Sequence, residues 1–147
     1  MKPTIKKMET WMLYAILSML FAGVTAIFAK YGLENVSADL GLVIRTSIIF
    51  ALVLLTGFWN NATSGISNLT GKQFFLLLAS GVTAYLSWLY YFRALKDGPV
   101  TYVATIDKAS IVVTLVLSFL LLGEPLKPQV LIGGGLILVG MLVLVWK

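Results

Sequence analysis

The sequence contains no cysteine and no histidine. The absence of cysteine excludes a disulfide framework, and the absence of both residues excludes a metal site built from thiolates and imidazoles. Without histidine, the chain also lacks the base of the common nucleophile–histidine catalytic arrangements. We therefore expect no metal, no cofactor and no catalytic residue.

Charged residues are scarce, at 12% of the 147 residues, whereas 59% are hydrophobic. A soluble domain carries about a quarter of charged residues, so the surplus apolar surface must face lipid. The 11 Lys and Arg residues give a net charge of +5, but they are scattered between apolar runs. Scattered cations are typical of loops and helix ends beside anionic lipid, and no basic face typical of nucleic-acid binding can be drawn.

Five apolar runs are long enough to cross a bilayer core, which takes roughly 20 helical residues. We predict helices over about residues 11–30, 40–59, 73–95, 100–122 and 129–146. Ser37 and Asp39 suit a helix start before the second run, and Pro99 suits the opening of the fourth. The first run exceeds the core of a signal peptide, so we expect it to be retained. The sequence thus predicts an all-α, multi-pass integral membrane protein that is not an enzyme.

The basic residues leave the orientation open. Five spans place the termini on opposite sides, with Lys2, Lys6, Lys7, Lys72 and Lys127 on the amino-terminal side. The other side has Lys30, Arg93, Lys96 and Lys147. Because this is a weak bias under the positive-inside rule, two interpretations stay open. Either Lys6 and Lys7 set an amino-terminus-inside orientation, or the chain inserts both ways.

Several motifs in the second half of the chain occur together in a known family. They are YFRAL at 91–95, PV at 99–100, LGE at 122–124, and Gln129 before a glycine-rich apolar helix. AKYGL at 29–33 and Arg45 fit the first two helices more loosely. With these motifs the chain resembles the EamA domain of the drug/metabolite transporter superfamily over almost its whole length. Many relatives have a proline near position 105, which here is Thr105, and such prolines shape broken helices around a substrate.

Most members of that family carry two such domains, and the second is inverted because five helices is an odd number. The resemblance implies a single EamA-like domain over residues 1–147, equivalent to one half of a ten-helix inverted-repeat transporter fold. It also implies secondary transport of a small metabolite or drug-like solute across the inner membrane, by alternating access in an antiparallel homodimer. Two alternatives stay open: a non-transporting subunit that pairs with another half-size partner, and a component of a lipid-carrier flippase.

Four ionisable residues are predicted at membrane depth, namely Arg45, Arg93, Asp107 and Lys108. Each costs at least about 2.5–3.5 kcal/mol there and needs a partner, water, or a path to the headgroups. Adjacent helical residues point about 100° apart, so Asp107 and Lys108 are predicted to be poor partners. We expect Asp107 to face protein or a wet cavity and to pair with Arg45 or Arg93. Lys108 is expected to reach the headgroups or a second subunit.

Those charged residues have both structural and functional interpretations. An Asp107–Arg pair either locks two helices in register or releases its partner when a substrate arrives. Arg45 and Lys30 are candidates for binding anionic groups, although Lys30 is more simply explained as an interfacial anchor. Tyr85 and Trp88 share one face of the third span, where they either line a solute cavity or pack as an interfacial belt. The substrate or coupling candidates are therefore Arg45, Tyr85, Trp88, Arg93, Asp107 and Lys108.

Small residues predict helix packing in the last two spans. Ser110, Thr114 and Ser118 are spaced by four and lie on the same stripe as Asp107. The last span contains Gly133, Gly134, Gly135 and Gly140. Small residues let helices approach closely in a membrane, so these positions are predicted to serve packing or dimerisation.

Overall fold

The computed structural model describes residues 10–125 and 127–146, and every regular element within them is helical. The helices are α1 (Thr10–Gly32), α2 (Ala38–Trp59), α3 (Gly71–Asp97), α4 (Val100–Lys108), α5 (Ser110–Leu122) and α6 (Pro128–Val145). A 3₁₀-helix at Ala62–Asn68 connects α2 to α3. Lys2, Lys6, Lys7 and Lys147, which bear on the orientation, lie outside the described residues.

Five segments are long and apolar enough to cross a membrane, with α4 and α5 together forming the fourth. The predicted all-α protein with five membrane spans is thereby confirmed. At 1.5 Å per residue, the 18-residue α6 is about 27 Å long and the 27-residue α3 about 40 Å. α3 is therefore longer than the roughly 30 Å bilayer core.

Local side chains determine where two of the helices begin. The hydroxyl of Ser37 accepts a hydrogen bond from the Leu40 N–H at 3.3 Å, which caps the start of α2 as predicted. Thr70 and Gln73 form a capping box at the start of α3. The Thr70 N–H donates to Gln73 Oε1 at 2.9 Å, and the Gln73 N–H donates to Thr70 Oγ1 at 3.3 Å. This box lets α3 begin at Gly71.

Two glycines are required at the ends of helices. Gly98, which joins α3 to α4, has no room for a side chain: a methyl group there would lie 2.9 Å from Val103 Cγ2 and 3.0 Å from the Ala94 carbonyl oxygen. Gly123 ends α5 with a φ of 66°, in the left-handed region that glycine adopts without strain. The LGE motif therefore marks the end of a helix.

The fourth span is interrupted at Ala109, although this chain has Thr105 where many relatives have a proline. The Ala109 N–H donates to the Ile106 carbonyl at 3.0 Å, and the Val112 N–H donates to the Ala109 carbonyl at 3.0 Å. These i to i+3 bonds form a tightened turn of 3₁₀ type, which often marks a hinge within a helix. Asp107 and Lys108 are the two middle residues of the first of these turns, between Ile106 and Ala109.

The buried core is small and lies at one end of the helical bundle. Leu33, Leu42, Phe92 and Leu95 pack together where α1 and α3 end and α2 begins. In the described part of the chain, Ala26 is the remaining buried apolar residue, and most large apolar side chains are exposed. Lipid tails are as apolar as these side chains, so packing and polar contacts must hold the helices together.

Two lysines provide polar contacts at this same end. Lys30 Nζ on α1 donates to the carbonyls of Leu95 at 2.7 Å, Lys96 at 3.2 Å and Gly98 at 2.9 Å. Lys96 Nζ on α3 donates to the Leu33 carbonyl at 2.6 Å, just beyond α1. The last carbonyls of a helix have no partner within the helix, and cations near them are favourable. Lys30 thus caps α3, because α1 and α3 end side by side, and its predicted role as an interfacial anchor stays a prediction.

Candidate functional site between the first four helices

A cavity of about 210 Å³ lies between α1, α2, α3 and α4, and we refer to it as the charged cavity. Its walls carry a guanidinium, an ammonium, a carboxylate and three hydroxyl groups. The lining residues are Ala22, Thr25, Ala26, Arg45, Ser87, Trp88, Tyr91, Asp107 and Lys108. Four of the six substrate or coupling candidates, Arg45, Trp88, Asp107 and Lys108, therefore line a single cavity.

A larger groove of about 460 Å³ lies between α1 and α2, and we refer to it as the apolar groove. Among its lining residues, Arg45 is the one ionisable group. Thr25 and Arg45 line both the groove and the charged cavity. The two spaces therefore adjoin at these residues, which separate an apolar compartment from a charged one.

Arg45 is held by aromatic rings. Its guanidinium carbon lies 4.9 Å from the centroid of the Trp88 ring and 5.2 Å from that of Phe92. The two rings are four residues apart on α3, so they lie on the face that α2 packs against. No carboxylate of the described residues lies within ion-pair distance of Arg45. Cation–π attraction stabilises the charge, and the predicted pairing of Arg45 with Asp107 is wrong.

Asp107 pairs with its neighbour in sequence. Lys108 Nζ lies 3.1 Å from Asp107 Oδ2, and the two side chains are 62% and 35% exposed. The prediction that these residues are poor partners is therefore wrong, and the prediction that Lys108 reaches the headgroups or a second subunit stays a prediction. The flexible four-carbon stem of lysine allows its ammonium to fold back across the 100° between the two side chains.

Arg93 lies outside the charged cavity and does not pair with Asp107, contrary to our expectation. Its Nη2 and Nε lie 3.2 and 3.3 Å from Asp39 Oδ1 in the first turn of α2. The side chains of Arg93 and Asp39 are 52% and 66% exposed. Exposed pairs of this kind contribute about 0–1 kcal/mol, so this one contributes little to stability.

Tyr85 is exposed and does not line the charged cavity, whereas Tyr91 does. Sequence reasoning grouped Tyr85 with Trp88 and treated Tyr91 only as part of a family motif. Ser87 and Tyr91 are four residues apart and flank Trp88, so helical spacing could have placed all three on one face. Thr25 also lines the charged cavity, and its hydroxyl donates to the Phe21 carbonyl at 2.7 Å.

Comparison with known proteins assigns the chain to a family. Residues 9–146 match the EamA-like transporter family. The chain belongs to this family. It is also similar to a Sinorhizobium sp. protein described as "Uncharacterized transporter in cobO 3'region", with 39% identity over 140 residues that cover 92% of this chain and 96% of that protein. No solved structure matches the chain significantly.

The predicted packing residues of this EamA-like chain differ in what they contact. A methyl group on Gly134 would lie 2.9 Å from Leu115 Cδ1, so α6 passes close to α5 at this position. A methyl group on Gly133, Gly135 or Gly140 would meet nothing within 4 Å. The Thr114 hydroxyl donates to the Ser110 carbonyl at 3.1 Å on its own helix. A role for these residues and Ser118 in dimerisation stays a prediction.

Proposed function

We propose that this EamA-like chain is a secondary transporter that moves a small metabolite or drug-like solute across the inner membrane. In our proposal it works as a homodimer with antiparallel subunits, by alternating access. The observation that carries this proposal is the charged cavity. Arg45 lies seven residues into α2 and Asp107 seven residues into α4, which places each about 10 Å along its helix.

These two helices begin at the same end of the bundle, so Arg45 and Asp107 lie at a similar depth. Ionisable residues at bilayer depth are expensive, and they commonly line a substrate or ion pathway. Membership of a transporter family supports the same interpretation. A charged cavity used for packing alone would be an expensive way to join four apolar helices.

The internal symmetry that is common among transporters supports the proposed dimer. Inverted repeats commonly place the substrate site near the midplane, at the interface between the repeats. A single five-helix unit supplies one such repeat, so a second copy in the opposite orientation would supply the other. The turn at Ala109 supports alternating access, because α4 and α5 could tilt relative to each other about it.

The test is solute uptake by liposomes that contain only this purified protein. We expect time-dependent uptake of at least one member of a panel of labelled metabolites and drug-like cations, anions and neutral compounds. Protein-free liposomes provide the background. If folded protein moves no solute in the panel, the transport proposal fails and the partner-dependent subunit becomes the better interpretation. Movement of a labelled lipid carrier alone would favour the flippase.

A further inference from the structure

The charged cavity contains two cationic side chains and one anionic side chain. Asp107 is already paired with Lys108 at 3.1 Å, and no carboxylate of residues 10–125 or 127–146 lies within ion-pair distance of Arg45. The cavity therefore holds one positive charge that the described chain does not neutralise. Because this charge lies at bilayer depth, an anion entering the cavity would gain more from it than an anion in water would.

The guanidinium of Arg45 is preorganised to bind such an anion. It has five N–H donors in a planar fork that matches carboxylates and phosphates. Trp88 and Phe92 hold it at 4.9 and 5.2 Å from their ring centroids, and no hydrogen bond joins Arg45 to another described residue. Aromatic rings stabilise the charge without using the N–H donors, so these donors remain available to a ligand.

The other cations near this end of the bundle already have acceptors. Lys30 donates to three carbonyls and Lys96 to one, while Arg93 is paired with Asp39. The sequence offered two candidates for anion binding, Lys30 and Arg45. Because Lys30 is already bonded to backbone carbonyls, Arg45 is the candidate that remains. We propose that Arg45 binds a carboxylate or phosphate group of the transported compound in the charged cavity. This inference rests on the transport function proposed above and narrows its substrate class to organic anions.

The anionic group could belong to a soluble solute or to a lipid. The apolar groove adjoins the charged cavity at Arg45 and Thr25. A soluble aromatic anion could lie beside Trp88 within the charged cavity. An anionic lipid could instead place its headgroup at Arg45 and its chain in the groove. Both sources share the same chemistry at Arg45, and the experiment must distinguish them.

The test measures binding of benzoate to the purified full-length chain in phosphatidylcholine nanodiscs, with benzamide as the uncharged analogue. We expect the wild type to bind benzoate about 10- to 100-fold more tightly than benzamide, because charge-assisted hydrogen bonds discriminate by that amount. Arg45→Gln should abolish the preference. Lys72→Gln, which removes a cation from the first turn of α3, should retain it in full.

Arg45→Lys keeps the charge but loses the planar fork, so we expect an intermediate preference. If Arg45→Gln does not fold, the proposal is tested by Arg45→Lys together with the ratio of benzoate to benzamide affinity in the wild type.

A second set of nanodiscs includes phosphatidylglycerol. Both sets are measured at about 0.5 M salt, which screens the repulsion of benzoate by the anionic surface. Weaker benzoate binding with phosphatidylglycerol under these conditions would favour the lipid headgroup as a competitor at Arg45, and unchanged binding would favour a soluble anion. Equal binding of benzoate and benzamide by the wild type, or a preference that survives Arg45→Gln, overturns the proposal.

These outcomes are separable from those of the transport test. If the protein takes up only neutral or cationic solutes and Arg45→Gln does not change this uptake, the transport proposal holds and the anion site at Arg45 is refuted. If benzoate binding depends on Arg45 but the protein moves no solute, the anion site holds and the transport proposal is refuted.

Discussion

Lys30 and Lys96 cap each other's helices. Lys30 on α1 donates to the carbonyls of Leu95, Lys96 and Gly98 at the end of α3, and Lys96 donates to the Leu33 carbonyl at the end of α1. Lys30 satisfies three backbone acceptors that would otherwise face a medium with few donors, whereas the Leu33 carbonyl also accepts from the Val36 N–H at 3.2 Å. These reciprocal hydrogen bonds connect α1 to α3 beside the core cluster, on one side of the charged cavity.

We expect Lys30→Met to lower the stability of the detergent-purified protein by about 1–3 kcal/mol, since it leaves carbonyls without a donor. Lys96→Met should have a smaller effect, because it removes one hydrogen bond instead of three. Thermal unfolding followed by circular dichroism measures both. Arg93→Gln is the control: it breaks an exposed pair with Asp39 and should change stability by less than about 1 kcal/mol. Equal effects of Lys30→Met and Arg93→Gln would contradict the capping role.

Gly98→Ala should destabilise the connection between α3 and α4 by about 1–3 kcal/mol, because the added methyl group would overlap Val103 and the Ala94 carbonyl. Gly81→Ala is the matched control within α3, where a methyl group would meet nothing within 4 Å. Alanine favours a helix over glycine by about 0.5–1 kcal/mol, so the control should be neutral or stabilising. In the same unfolding assay we expect Gly98→Ala to lower the free energy of unfolding and Gly81→Ala to leave it unchanged or raise it. A Gly98→Ala protein as stable as the wild type would show that the turn adapts.

Asp107→Asn should reduce solute uptake by roughly tenfold or more, equivalent to about 1.4 kcal/mol, while the yield of folded protein changes little. The substitution leaves Lys108 without its carboxylate and raises the positive charge of the cavity by one. Glu124→Gln, the same change at an exposed residue after α5, provides the control. Parallel loss of folded protein and uptake in Asp107→Asn would mean that the pair is structural.

A reporter fused to the carboxyl terminus distinguishes the two interpretations of orientation. If the chain inserts both ways, a periplasmic reporter and a cytoplasmic reporter should both be active, as an antiparallel homodimer requires. Activity of one reporter only would show a fixed orientation set by the basic residues. That result would exclude antiparallel pairing of two copies and favour a different half-size partner.

The number of spans and the start of α2 were predictable because both depend on neighbours in sequence. Hydrophobic length determines a span, and the cap at Ser37 is formed with a backbone group three residues away. The interruption at Ala109 was not predicted, because no proline marks it. Three residues of the charged cavity, Arg45, Asp107 and Lys108, were found as ionisable residues at membrane depth, and Trp88 was found from its spacing on one helical face. Tyr91 was missed on an aromatic-rich helix.

The sequence by itself determined that this chain is a helical membrane protein with a few costly charges, because hydrophobicity and its period are local properties. Only the tertiary structure decided which partner each charge has. Arg45 lies over rings from α3, Lys30 caps a helix that ends 65 or more residues away, and Lys108 folds back on Asp107. Such partners depend on how helices approach one another and on side-chain torsions, and neither is encoded in residue spacing along a single helix.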